Sequence, residues 1–298
     1  MTAAGGVDGK AMSDVSRLAQ IATNARGTLA TLTRRPRPAG RSIAWPATTW
    51  MAAYAAAALA VIVCVMLWLD TPLLGLEQRL PHAFVQAFEY ITDLGLSGWF
   101  LWPTGILLLA MAITDSPEMP RIMRGVMAAI AVRFGFVFIA IAVPGLFVAI
   151  VKRLIGRERP WAPNHDIWTF TPFGWHVDYA SFPSGHATTA FSAAVAIGAI
   201  WPRARPYLWI YAVIIACSRV IVSAHHPSDV VAGAIVGSFG AVLVRNWFAA
   251  RRLGFEVASN GCVQSLPGPS WRRVKAVARG DRKSTRLNSS HMSESRMP

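Results

Sequence analysis

Charge is scarce in this 298-residue chain: Asp, Glu, Lys and Arg together make up 15% of it. Acidic residues are scarcer still, 15 against 29 Lys and Arg, for a net charge of +14. Cysteine occurs three times, at Cys64, Cys217 and Cys262, with no pair at metal-ligand spacing. That excludes a disulfide framework and a thiolate zinc site, and leaves the cysteines as packing residues. A signal-peptide core is also missing, because the first apolar run begins late and is far too long for one. The low charge, with 54% hydrophobic residues in long uncharged runs, excludes an ordinary soluble domain and points to the membrane class. The basic residues crowd beside apolar runs, so they are read as topology signals and no nucleic-acid partner is expected.

A helix needs roughly 20 residues to cross the hydrocarbon core. Six candidate spans follow: Trp45–Leu69, Gly95–Thr114, Met127–Val151, Gly185–Trp201, Tyr207–Ala224 and Ser228–Phe248. Asp70-Thr71-Pro72 stops the first. Pro81–Asp93 reads as a short amphipathic helix at the surface, with Phe84, Phe88 and Ile91 on one side. Arg133 is expected to snorkel to the headgroups, and Pro144-Gly145 to kink the third span. Gly233 and Gly237 are spaced to let another helix approach closely. The fold class is therefore all-α, a six-transmembrane-helix bundle with a short amphipathic helix between the first two spans.

Six crossings put both termini on one side. The N-terminal tail, Arg121/Arg124, Arg203/Arg205 and Arg245/Arg251/Arg252 share that side, which the positive-inside rule makes the cytoplasm. The expected location is the cell inner (plasma) membrane, multi-pass. Residues 1–44 are expected to form a basic flexible tail, with seven Lys/Arg against two Asp and a short helix around Met12–Ala22. Residues 45–250 form the membrane domain and 251–281 a basic C-terminal tail. Residues 282–298 are polar and patternless, resemble a translated sequencing-adapter artefact, and are set aside.

Three polar clusters border the spans on the opposite face. Lys152-Arg153-Leu154-Ile155-Gly156-Arg157-Glu158-Arg159-Pro160 places four cations after the third span, against the positive-inside pattern. An ammonium and guanidinium groups there can clamp one phosphate; a headgroup-facing collar is the plainer use. Pro183-Ser184-Gly185-His186 opens the fourth span. Free N–H groups at a helix start, a capping Ser184 and a bare Gly185 suit an anion, and His186 is placed to protonate a leaving oxygen. Ser218-Arg219-Val220-Ile221-Val222-Ser223-Ala224-His225-His226-Pro227-Ser228-Asp229 links the last two spans. Asp229, four residues after His225, can hold one imidazole nitrogen and leave the other as a nucleophile. Arg219 offers a planar fork to phosphoryl oxygens.

These clusters resemble the signature of the type-2 phosphatidic acid phosphatase superfamily, shared with vanadium haloperoxidases: Lys-x6-Arg-Pro, Pro-Ser-Gly-His and Ser-Arg-x5-His-x3-Asp. Every spacing is matched by Lys152…Arg159-Pro160, Pro183-Ser184-Gly185-His186 and Ser218-Arg219…His225…Asp229. The resemblance covers about Trp45–Ala250. It implies that His225 attacks phosphorus to form a phosphohistidine, that Asp229 orients its ring, and that His186 protonates the leaving group. It implies that Lys152, Arg159, Ser184, Gly185 and Arg219 hold the phosphate oxygens. Family members use no metal, in keeping with the lack of an acidic or Cys/His ligand cluster, so no cofactor is expected. The implied function is hydrolysis of a lipid phosphate or lipid diphosphate, undecaprenyl diphosphate among the candidates, by a membrane phosphatase whose site lies on the periplasmic, outer face. Two other readings stand beside it: a vanadate-binding haloperoxidase, against which six spans count, and a lipid transporter or flippase, against which the missing charged path through the midplane counts.

Overall fold

The computed structural model describes residues 48–114, 119–162 and 166–278, with a few helical positions between 19 and 30. Most of the expected basic tail at 1–44, the loop at 115–118 and the set-aside segment 282–298 lie outside the described residues.

A backbone in lipid must satisfy its own polar groups, and the apolar runs do so as helices. Their order is α1 (Thr48–Val65, extended by a π-helical turn Met66–Asp70), α2 (Leu76–Arg79), α3 (His82–Asp93), α4 (Gly98–Thr114), α5 (Arg121–Ile155), α6 (Gly185–Ile200), α7 (Arg205–Ile221) and α8 (Pro227–Ala250). A short hairpin, β1 (Phe255–Val257) and β2 (Val263–Ser265), and a last helix α9 (Trp271–Ala278) follow. The chain is an all-α integral membrane protein with that one hairpin added. Trp50–Asp70, His82–Thr114, Arg121–Ile155, Pro202–Ile221 and Pro227–Ala250 are long and apolar enough to cross a membrane, while α6 is apolar but has 16 residues.

Helix α6 is the axis of the bundle. Its Ala187, Ala190, Ala193, Ala194 and Ala196 are at most 1% exposed, because α5, α7 and α8 pack around it. Small side chains permit that closeness, and α8 answers with glycine. A Cβ on Gly233 would lie 2.4 Å from Ser184 O, and one on Gly237 2.4 Å from Thr188 O. The close approach expected at these two glycines is thus present. The amphipathic α3 sits where the sequence puts it and packs on α7, with Ile91 against Ala190, Ala194, Ala212 and Ile215.

Several expectations are corrected. Helix α5 starts at Arg121, six residues early. Arg133 is not a snorkelling side chain: its Nη1 donates to Ala129 O at 2.8 Å and its Nη2 to Leu266 O at 2.8 Å, which ties the C-terminal segment to α5. That segment, expected as a basic C-terminal tail, carries the hairpin. β1 pairs with β2 antiparallel, Phe255 opposite Ser265, and the Phe255 ring packs 4.7 Å from Phe136. The cysteines are not packing residues; all three are exposed.

Candidate functional site

The three clusters meet at one end of the bundle, where α5 and α7 finish and α6 and α8 begin. Helix α5 ends because Gly156 takes a left-handed conformation, φ +63°, and its N–H closes on Lys152 O at 3.0 Å. A Cβ there would fall 1.7 Å from Thr171 O, so only glycine fits. The chain after it is irregular but hydrogen-bonded: Glu158 N–H to Thr169 O, Arg159 N–H to Asp178 O, and Ser181 N–H to Arg157 O.

Direct contacts join the clusters. Lys152 Nζ lies 3.5 Å from Ala180 O and 3.8 Å from the place a Cβ on Gly185 would take. Arg159 Nε donates to Val177 O at 3.1 Å and its Nη1 to Ala224 O at 3.3 Å, beside His225. Ser184 N–H donates to Asp229 O at 3.0 Å. Ser184 occupies the N-cap of α6, but its side chain makes no capping bond. The capping role expected for that hydroxyl is therefore absent. Its Oγ is buried and has no hydrogen-bond partner among the described residues, as do Arg219 Nε and His225 Nδ1. Each of the last two clusters thus contributes a buried polar atom not consumed by the fold.

His225 follows a turn in which Ser223 has φ +47°, and its backbone N–H returns to Arg219 O at 3.2 Å. The ring is 2% exposed. Burial pushes its pKa down to about 3; the nearby Asp229 carboxylate opposes that, and the Arg159 and Arg219 cations reinforce it. The imidazole is therefore neutral at ordinary pH. Burial likewise draws the Arg159 guanidinium below its usual range. Nδ1 of His225 stands 3.7 Å from Asp229 Oδ2, an ion-pair separation longer than a hydrogen bond. Asp229 is mostly engaged elsewhere: Oδ2 accepts from Ser181 Oγ at 2.5 Å and His226 N–H at 3.0 Å, and Oδ1 from Arg157 Nη1 at 2.6 Å.

Sequence reasoning missed the groups behind Asp229. Arg157 is 1% exposed and donates to Asp229, to Ser228 Oγ at 2.7 Å and to Asp70 Oδ2 at 2.8 Å. Asp70, read from sequence only as a helix stop, is fully buried. Thr92 on α3 was missed as well; its hydroxyl accepts from Arg219 Nη1 at 2.7 Å. The available signal was a basic run holding more cations than an anion clamp needs.

Beside the site runs a cleft of about 400 Å³ between α4, α5 and α6. Gly185 and His186 border it, and Leu96, Leu101, Ile141 and Leu146 make it apolar. Among the described residues no group of three or more His, Cys, Asp and Glu side chains is placed to hold a metal ion.

The chain is similar to known membrane phosphatases. It is 31% identical over 239 residues to the lipid A 1-phosphatase of Rhizobium johnstonii, covering 79% of this chain and 95% of the relative. It is 32% identical over 199 residues to the lipid A 1-phosphatase of Rhizobium etli, covering 66% of this chain and 84% of the relative. The crystal structure of a transmembrane PAP2 type phosphatidylglycerolphosphate phosphatase from Bacillus subtilis aligns with a TM-score of 0.44 at 18% identity, covering 64% of this chain and 94% of that one. The PAP2 superfamily profile matches residues 133–253, the stretch from mid-α5 to the end of α8 that carries all three clusters. With near full-length relatives above 30% identity, the chain belongs to the PAP2 superfamily.

Proposed function

We propose that this protein is a metal-independent phosphatase that hydrolyses a lipid phosphate monoester or diphosphate through a phosphohistidine. The supporting observation is the meeting of Lys152, Arg159, Ser184, Gly185 and Arg219 around two histidines at one bundle end. In this reading the three cations and the α6 N-terminus hold the phosphoryl oxygens and neutralise charge in the transition state. Neutral His225 attacks phosphorus with Nε2, forming an N–P bond as the P–O bond to the lipid breaks. His186, which takes up a proton from water once the bound phosphate offsets the cations around it, gives that proton to the departing oxygen. Water then attacks phosphorus, passing a proton to His186, and the N–P bond breaks to release phosphate. Asp229 stabilises the imidazole as it gains positive charge.

The apolar cleft at His186 supports a lipid substrate, since a tail lying there leaves its phosphate at Gly185. The names of the two Rhizobium relatives make the 1-phosphate of lipid A the first substrate to test. The arginines at the far end favour six crossings, cytoplasmic termini and a site on the periplasmic face of the inner membrane.

The test is phosphate release by purified protein in detergent with chelator present, from lipid A, phosphatidylglycerophosphate, phosphatidate and undecaprenyl diphosphate. Release from at least one lipid is expected, lowered about 10⁴-fold or more in His225→Ala. Release that requires added metal, or that survives His225→Ala, overturns the mechanism.

A further inference from the structure

Asp70, Arg157 and Asp229 form a buried triad of one cation between two carboxylates, each at most 1% exposed. Every N–H of the Arg157 fork is used. Nη1 donates to Asp229 Oδ1 at 2.6 Å and Ser228 Oγ at 2.7 Å, and Nη2 to Asp70 Oδ2 at 2.8 Å and Ile167 O at 3.1 Å. Nε completes the set with Ile167 O at 3.4 Å. Asp70 in turn takes Ser228 N–H at 2.9 Å and Ser228 Oγ at 2.5 Å. The end of the first span is therefore bonded to the first turn of α8, next to Asp229.

The charge arithmetic gives this arrangement a consequence. With both carboxylates ionised the triad carries one net negative charge. That charge faces His225 from Asp229 Oδ2, and Arg159 and Arg219 face the same ring from the other elements of the site. Were Arg157 paired with Asp229 alone, the pair would be neutral, and little field would be left to stabilise a developing imidazolium. In a buried setting such a loss is only weakly screened.

We infer that Asp70 is a positioning residue for the reaction at His225, acting through Arg157 to keep the Asp229 carboxylate from being neutralised. The inference rests on the phosphohistidine reading above. It gives the first span, which contributes nothing to the three sequence clusters, a part in the chemistry.

The experiment is a charge-balance cycle: wild type, Asp70→Asn, and the double variant Asp70→Asn with Arg157→Gln. Turnover of lipid phosphate is measured per folded protein, counted from the monodisperse fraction. Asp70→Asn is expected to lower kcat about 10- to 100-fold, the scale of a partner lost one step behind a reacting group, with KM within about twofold. The double variant regains the single net negative charge and is expected to recover at least about tenfold of that loss. Ser228→Ala, which removes hydrogen bonds but no charge, is expected to stay within about threefold of wild type. A purely structural tie predicts the opposite order, the double variant being no better than the single one, and that result overturns the inference. An Asp70→Asn protein within about threefold of wild type overturns it too. If Asp70→Asn does not fold, a double variant that folds and turns over still supports charge balance, and an inactive one refutes it. Failure of wild type itself to release phosphate would instead strike the lipid-phosphatase reading.

Discussion

The two ends of the bundle are both rich in charge, and they treat it in opposite ways. At the end where α6 and α8 begin, Asp70, Arg157, Glu158 and Asp229 are at most 1% exposed. At the end where they finish, no charged residue among those described is fully buried. Arg252 meets Glu256 at 3.4 Å with both side chains about half exposed, and Arg251 lies 3.8 Å over the Trp247 ring. What is buried there is mainly apolar, Phe136, Phe248, Leu253 and Phe255, with Asn246 a buried but uncharged exception. One end spends hydrophobic burial on stability and the other accepts desolvated charge. Only the second makes sense as a place where charge is to be managed during a reaction.

This contrast can be broken or sharpened by substitution. The largest stability effect is expected for Arg157→Ala, which strands two buried carboxylates and should cost about 3–5 kcal/mol. Denaturant unfolding in detergent measures it; a loss below about 1 kcal/mol would erase the distinction between the ends. Next comes pH. The folded pKa of His225 lies near 3, below the ordinary 6.5. As pH falls through the window between those values, the unfolded chain takes up a proton that the folded one refuses, so stability drops. The slope from this group is at most about 1.4 kcal/mol per pH unit. Thermal midpoints from pH 6.5 to 4 should show it, and His225→Gln should flatten the curve.

A smaller effect tests the packing both ends share. Gly237→Leu forces a side chain against Thr188 O and should cost about 1–3 kcal/mol, again read by unfolding. The smallest belongs to the apolar end. Glu256→Gln removes an exposed pair and should change stability by less than about 1 kcal/mol. A larger change would mean that surface charge matters there after all.

Much of this was legible from the chain alone. Period, run length and bounding Pro, Gly and charged residues place the long apolar helices and α3, most of their ends within a few residues, though α5 begins six residues earlier than expected. The polar clusters are legible because polar residues between apolar runs have few places to go. What was not legible depends on distance along the chain. Asp70 meets Ser228 across 158 positions and Arg157 across 87. From sequence, Arg157 is one more basic residue beside Arg153, yet Arg153 bonds the exposed Trp175 carbonyl at 2.7 Å while Arg157 is sealed inside. No local pattern separates those fates; the tertiary partner does. The hairpin escaped for another reason: two strands of three residues carry too little alternation to stand out from a polar tail.

The brevity of α6 has one further result. Sixteen residues rise only about 24 Å, short of the roughly 30 Å of hydrocarbon for which α5, with 35 residues, and α8, with 24, are long enough. If its far end were level with theirs, the mouth at Ser184 would lie several ångströms inside the thickness of the leaflet. A headgroup reaching such a mouth would sink below its fellows and shed water on the way, and a bilayer matched to so short a helix would thin around it.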